Sequence, residues 1–358
     1  LLASTVSAQE NPYTNRRGPS AEILADMTLK QKVGQMFMVG LFGPNITVDG
    51  AAFLETYQPG GIVFFKYNVT EGPTAASAAT TLINDWQATI TATGGLPMLV
   101  AIDQEGGRIN TFEEAPFTQF PVPALVTATG NHNLAYRVGA AQSIELRAVG
   151  IHMNLAPVAD LETNPDNPVI FRRAYGSDPQ IVSPTISATV QGMQDNGVIA
   201  TLKHFPGHGD TSEDSHLELP VLPYDRRAIN ELELIPFRAG IGAGAEAVMM
   251  GHLALPEIEP IPDLPASLSH RIVTGILREE LGFDGIIMTD AMDMDAIDTT
   301  YSLTEASIMA IEAGNDLLAT GPHVGTMNLG EAIDGVVAAV ESGRLSEARI
   351  DASVRRLV

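Results

Sequence analysis

The feature that most constrains this chain is a series of eight short apolar runs separated by stretches of helical character. The runs are MFMVGLF (36–42), GGIVFF (60–65), PMLVAID (97–103), IHMNLAPV (151–158), IATLKHF (199–205), AVMMGHL (247–253), GIIMTD (285–290) and DLLAT (316–320). Most are apolar nearly throughout, the pattern of parallel strands buried on both faces. Between them lie stretches such as TAASAATTLINDWQATI, HNLAYRVGAAQSIELRAVG, SPTISATVQGMQDNG, EASIMAIEAG and GEAIDGVVAAVESG. Gly94, Gly150, Gly197, Gly314 and Gly343 stand where these helices would end. Ahead of the first strand, AEILADM reads as a helix, and Thr28 is placed to cap a second one in TLKQKVGQMF. Eight βα units in order predict an α/β fold, a single (β/α)8 TIM-type barrel over residues 21–358. The competing architecture is an open doubly wound sheet, but no Gly-rich dinucleotide fingerprint follows the first strand.

Barrels of this kind do their chemistry at the C-terminal ends of their strands. Here Asp103 ends the third run, Asp160 follows the fourth, Lys203 and His204 close the fifth, His252 lies late in the sixth and Asp290 ends the seventh. Ionisable groups at five strand ends converge on one mouth.

Composition narrows the function classes. The chain carries 20 basic and 43 acidic residues, a formal net charge of −23. Such a surface repels phosphate backbones and argues against a nucleic-acid partner. There is no cysteine, which excludes thiolate chemistry, disulfides and Cys-ligated metals. Residues 1–20 read as a signal-peptide remnant and linker: Val6-Ser7-Ala8 before Gln9 fits a small-x-small cleavage site. This predicts an extracytoplasmic or secreted protein, with a cytoplasmic tail as the other reading. No other segment approaches the roughly 20 apolar residues of a membrane span, so no stable membrane insertion is expected.

The segment richest in chemistry is KHFPGHGDTSEDSH, residues 203–216. Phe205-Pro206-Gly207-His208-Gly209 cannot continue a strand, and the loop then presents Asp214-Ser215-His216. A carboxylate two residues from an imidazole can hold one ring nitrogen and leave the other free to move a proton. The same spacing also describes an ordinary solvated pair. Asp290 is similarly open. It suits a nucleophile facing a barrel mouth, and it equally suits a helix N-cap before AMDMDAI.

Taken together, these segments resemble glycoside hydrolase family 3 β-N-acetylglucosaminidases, from about residue 21 to the end. The resemblance rests on Lys203 to His216, on Ile102-Asp103-Gln104-Glu105-Gly106-Gly107-Arg108, on Asn154 to Asp160, on Asn167 to Gly176 and on Thr289-Asp290-Ala291-Met292. It implies that Asp290 is the nucleophile of a retaining reaction. It implies that His216, oriented by Asp214, is the acid/base where most glycosidases use a second carboxylic acid. It further implies that Asp103, Arg173, Lys203 and His204 contact the sugar. His252 aligns with a histidine near the pocket, or is simply a hydrogen-bonded strand-end residue; Met292 walls the pocket or belongs to the core.

The chain departs from the family pattern in two places. Phe171-Arg172 precedes the key arginine in place of a Gly-Asp pair, so Arg172 competes with Arg173 for its role, and position favours Arg173. Gly251 stands where relatives often have a small non-glycine residue.

The expected partner is a small amino-sugar glycoside, with no cofactor and no metal; the oligomeric state is open. A metal held by His204, His208 and His216 with Asp210 or Asp214 matches no standard ligand spacing. Within the enzyme class, a phosphorylase using phosphate in place of water and a β-glucosidase of the same family are the alternatives. The natural substrate (muropeptide, chitin oligomer or glycan) is not specified by these motifs.

Overall fold

The computed structural model describes residues 20–358. The expected signal-like segment and most of the linker lie outside the described residues. Two short helices, Ser20–Asp26 and Leu29–Gln35, lead into the barrel. Thr28 caps the second as anticipated: its hydroxyl accepts from the Gln31 N–H, and the Gln31 side chain accepts from the Thr28 N–H.

Eight parallel strands follow in order: β1 (Phe37–Gly40), β2 (Gly61–Phe64), β3 (Leu99–Ile102), β4 (Met153–Asn154), β5 (Ile199–Phe205), β6 (Ala247–Met250), β7 (Ile286–Thr289) and β8 (Leu318–Ala319). Each pairs with its predecessor, β8 pairs with β1 through Phe37 and Leu318, and a bridge between Met288 and Leu317 closes the ring. The predicted (β/α)8 barrel is therefore the observed fold. Residues of alternate parity divide the strands between two environments. Met38, Val63, Ala101, Met153, Met249, Ile286 and Met288 fill the barrel interior. Phe37, Val39, Ile62, Phe64, Val100 and Ile102 point outward into the layer under the helices, with Trp86.

The apolar runs exceed the paired strands, and the cause is local. The fourth run, read over 151–158, is paired regularly only at Met153–Asn154. Pro157 has no N–H to donate, so beyond it the chain keeps only the isolated Val158–Lys203 bridge and the Ala159 N–H to Lys203 carbonyl bond. The structure adds a small hairpin after β3 (Gln104–Gly106 with Ile109–Asn110) and the helices Val48–Tyr57 and Arg271–Glu280. The five predicted helix-ending glycines all adopt positive φ, from 78° to 120°. Among the described residues, no helix is long and apolar enough to cross a membrane.

Close backbone approach fixes how the barrel meets the helix Leu29–Gln35. The Gly60 N–H bonds the Gly34 carbonyl at 3.1 Å. A Cβ on Gly60 would fall 2.0 Å from the Gln35 carbonyl oxygen, and one on Gly34 would fall 2.0 Å from that of Tyr57. Backbone on both sides leaves nothing flexible to move. Gly60→Ala should therefore cost about 3 kcal/mol, read as a lower urea midpoint at unchanged slope. A midpoint equal to wild type would show that the junction can relax.

Candidate active site

At the mouth of the barrel, β3 and β5 are brought together by charge. The Lys203 ammonium is 2% exposed at the residue level and lies 2.6 Å from Asp103 Oδ1 and 2.7 Å from Glu105 Oε1. Arg173, on the loop after β4, grips Glu105 with two bonds: Nη2 to Oε1 at 2.7 Å and Nε to Oε2 at 3.0 Å. Burial opposes the charge on Glu105, but Arg173 and Lys203 outweigh it and hold its carboxyl at about 2. Burial likewise opposes the Lys203 ammonium; Asp103 and Glu105 outweigh it and raise the group above its ordinary range. The result is a rigid tetrad, two cations and two anions, with the Asp103 carboxylate still part-exposed to the cavity.

Below this tetrad, Asp160 anchors the loop that follows β5. Its carboxylate accepts the backbone N–H of His204 (3.0 and 3.1 Å) and of His208 (2.8 Å), and it meets His204 Nδ1 at 2.7 Å. Burial holds His204 well below its ordinary value, so we read this last contact as a neutral N–H donating to the carboxylate. Burial also lifts the Asp160 carboxyl to about 6 despite these donors. His208 continues the anchoring, with Nδ1 on Thr211 Oγ1 at 2.8 Å and Nε2 on Ser215 Oγ at 3.0 Å. Gly209 passes so close to Leu161 that a Cβ would fall 1.5 Å from its carbonyl oxygen. The loop is thus pinned on both sides of its tip, and Ser215 sits between the residues that matter.

Those residues are Asp214 and His216. Asp214 Oδ1 accepts the His216 backbone N–H at 2.9 Å and lies 2.7 Å from ring Nδ1. Burial works to raise the Asp214 carboxyl, but the His216 backbone and ring together bring it below the ordinary range, so it stays ionised. With Nδ1 committed, Nε2 is the nitrogen available to give or take a proton. His216 borders the cavity, while Asp214 supports it from behind.

Asp290, immediately after β7, lines the same cavity of about 440 Å³. It caps no helix: Oδ1 accepts the N–H of Ala291, the next residue, at 2.8 Å, and the following short helix starts at Asp295. Burial favours its neutral form, but His204, His252, the Ala291 N–H and Lys203 together hold the carboxyl at about 2. It is an anion at neutral pH.

Asp103, Arg173, Lys203, His204, His216 and Asp290 are thus brought to one cavity. His252 and Met292 are not. His252 is fully buried, Nδ1 on Ser267 Oγ at 2.7 Å and Nε2 on the Ala291 carbonyl at 3.1 Å, so it braces the turn that carries Asp290. Met292 packs in the outer core, and Met294 faces the cavity instead. Of the two arginines, Arg173 lines the cavity and Arg172 does not. Arg172 is exposed, at φ 62°, with its guanidinium over the Phe171 ring. Gly251 has a reason too, since a Cβ there would press within 3.1 Å of the His204 Cβ.

Glu105 and Asp160 hold the site together although neither is marked for a role by the motifs. A signal for Glu105 exists: it stands two residues from Asp103, the spacing that returns a side chain to the same face of an extended chain. Among the described residues, no group of three or more His, Asp or Glu is placed to hold a metal ion. The histidines grouped in sequence are tied instead to Asp160, to Thr211 and Ser215, and to Asp214.

The Glu105 carboxyl has a folded value near 2 against an ordinary 4.5. Its contribution to stability is therefore complete above about pH 4.5 and lost as pH falls toward 2, worth about 3 kcal/mol across that window. Asp290 acts in the same sense. Glu105→Gln should lower stability at pH 7 by about 3 kcal/mol and flatten, without abolishing, the fall between pH 4.5 and 2. Denaturant unfolding at stepped pH measures both. A variant with the wild-type pH slope would contradict this account of the tetrad.

Comparison with known proteins agrees with this geometry. Residues 28–358 match the family model described as the glycosyl hydrolase family 3 N-terminal domain. A beta-hexosaminidase of Stenotrophomonas maltophilia (strain K279a) is 36% identical over 292 residues, covering 79% of this chain and 82% of that protein. A solved glycoside hydrolase family 3 beta-N-acetylglucosaminidase from Paenibacillus sp. str. FPU-7 superposes with a TM-score of 0.88 at 42% identity, covering 92% of this chain. This chain spans 61% of that one's length. A beta-N-acetylhexosaminidase from Beutenbergia cavernae DSM 12333 gives a TM-score of 0.84 at 31% identity, covering 93% of this chain and 98% of its own. The family model takes in every strand of the barrel, and the chain belongs to glycoside hydrolase family 3.

Proposed function

We propose that the chain is a retaining, exo-acting β-N-acetylhexosaminidase that removes terminal β-linked N-acetylglucosamine. The observation that carries this reading is that Asp290, an anion at neutral pH, and His216, held by Asp214, border one cavity. The names of the relatives in Stenotrophomonas maltophilia and Beutenbergia cavernae support the same activity.

In the first step the Asp290 carboxylate attacks the anomeric carbon and forms a glycosyl ester. The bond from that carbon to the glycosidic oxygen breaks. Protonated His216 delivers its Nε2 proton to the leaving oxygen, and Asp214 stabilises the imidazolium that exists beforehand. In the second step neutral His216 takes a proton from water, the oxygen attacks the anomeric carbon, and the ester breaks to restore Asp290. The tetrad serves as the grip: Asp103 accepts from sugar hydroxyls while Arg173 and Lys203 keep it oriented. Tetrad and barrel floor close the inner side of the cavity, which suits a terminal residue over an internal one.

A neutral imidazole base does not repel an anionic acceptor, so phosphate competes with water on that ground. Both lining cations, however, are already bound to carboxylates, which favours water. Hydrolysis of an aryl β-N-acetylglucosaminide, with and without phosphate, tests the reading. Wild type should release free sugar in both conditions, β-anomer first by NMR, and prefer this substrate to the aryl β-glucoside. Asp290→Ala should reduce turnover to background. His216→Ala should lower it by on the order of 10²–10⁴. Near-normal turnover by Asp290→Ala, an α-anomer first product, or a sugar 1-phosphate in place of free sugar would each overturn the corresponding assignment.

A further inference from the structure

We propose that Phe42, Tyr67 and His323 form a sugar-stacking subsite for the pyranose ring next to the cleaved bond. Its ligand is a β-linked amino-sugar oligosaccharide of at least two rings. This rests on the hexosaminidase reading and adds to it the part of the substrate on the leaving-group side.

The three rings come from loops after β1, β2 and β8, which are adjacent in the barrel. Phe42 and Tyr67 stack with centroids 4.9 Å apart and planes 30° apart. His323 meets Tyr67 edge-on at 5.5 Å and lies 6.3 Å from Phe42. The cluster is not core: Phe42 is 56% exposed and Tyr67 47%. Aromatic area left in water and yet ordered into a continuous platform marks a binding surface.

Its place in the fold says what it binds. Gly321, Pro322 and His323 line the catalytic cavity, and Pro322 also lines a neighbouring groove of about 270 Å³ with Phe42. The platform therefore lies where the cavity opens into the groove. The charged grip belongs to β3, the β4 loop and β5, and the nucleophile to β7. A terminal sugar held by the tetrad must keep its leaving oxygen within reach of His216, and His323 lines the same cavity as His216, so an aglycone leaving through the mouth of that cavity meets these rings. The apolar face of a pyranose fits a flat aromatic surface, and the exposed Asn45 and Asp49 of the groove can meet its hydroxyls.

The test compares two substrates on wild type and on the double variant Phe42→Ala/Tyr67→Ala. One is N-acetyl-β-glucosaminyl fluoride, whose leaving group is a single atom and cannot reach the platform. The other is the β-1,4-linked tetrasaccharide of N-acetylglucosamine. Binding energy from a remote ring appears in kcat/KM only for the substrate that has the ring. The variant should lose about tenfold in kcat/KM on the tetrasaccharide, the scale of one aromatic contact, and stay within about twofold on the fluoride. Intact fluoride hydrolysis also shows that the variant folds. Equal losses on both substrates, or an unchanged tetrasaccharide value, would overturn the subsite. Failure of wild type to hydrolyse the fluoride would instead overturn the hexosaminidase reading on which it rests.

Discussion

The Lys203 ammonium, buried between Asp103 and Glu105, is the interaction on which the site depends. A lone cation in a protein interior is strongly unfavourable, so its carboxylates must be present and correctly placed. Asp103 and Glu105 follow β3, Lys203 ends β5, and Arg173 completes the tetrad from the loop after β4. A group of charges that can be satisfied in only one arrangement fixes the relative positions of three loops. It also orients Asp103 toward the cavity with little freedom left to lose on binding.

The two proposed reacting groups lie in contrasting environments. Asp290 is part-buried, braced by the Ala291 N–H and by His252 behind its turn. His216 is largely exposed, on a loop whose position is set by Asp160 and His208 below it. A nucleophile benefits from rigid placement and a persistent anion. A proton donor that alternates with a base benefits from access to water and from one nitrogen held while the other is free. His216 is therefore fixed not by burial of its own but by hydrogen bonds to the loop that carries it.

Much of this was legible in the residues, and the failures share a cause. The strand runs and helix ends were visible because periodicity and positive-φ glycines are local properties. Pairing is not local, so the fourth run, which looks like eight strand residues, pairs regularly over only two once Pro157 intervenes. Met292 and Met294 are indistinguishable by type and spacing, and only the path of the turn after β7 sends one to the core and the other to the cavity. Apart from its spacing from Asp103, nothing local marks Glu105 out within Asp103 to Arg108. Its importance lies in cations 68 and 98 residues away along the chain.

By itself, then, the sequence determined the barrel, the order of its units and the strand ends at which ionisable groups gather, because apolar alternation and glycine punctuation act over short spans. Its motifs also carried the family resemblance. Tertiary structure alone turned Arg173 and not Arg172 into the cavity, freed Asp290 from the helix-cap reading, withdrew His252 from the cavity to brace the turn that carries Asp290, and joined Glu105 to Lys203 and Arg173. Those outcomes turn on burial and on contacts between distant segments, which exist only once the barrel has closed.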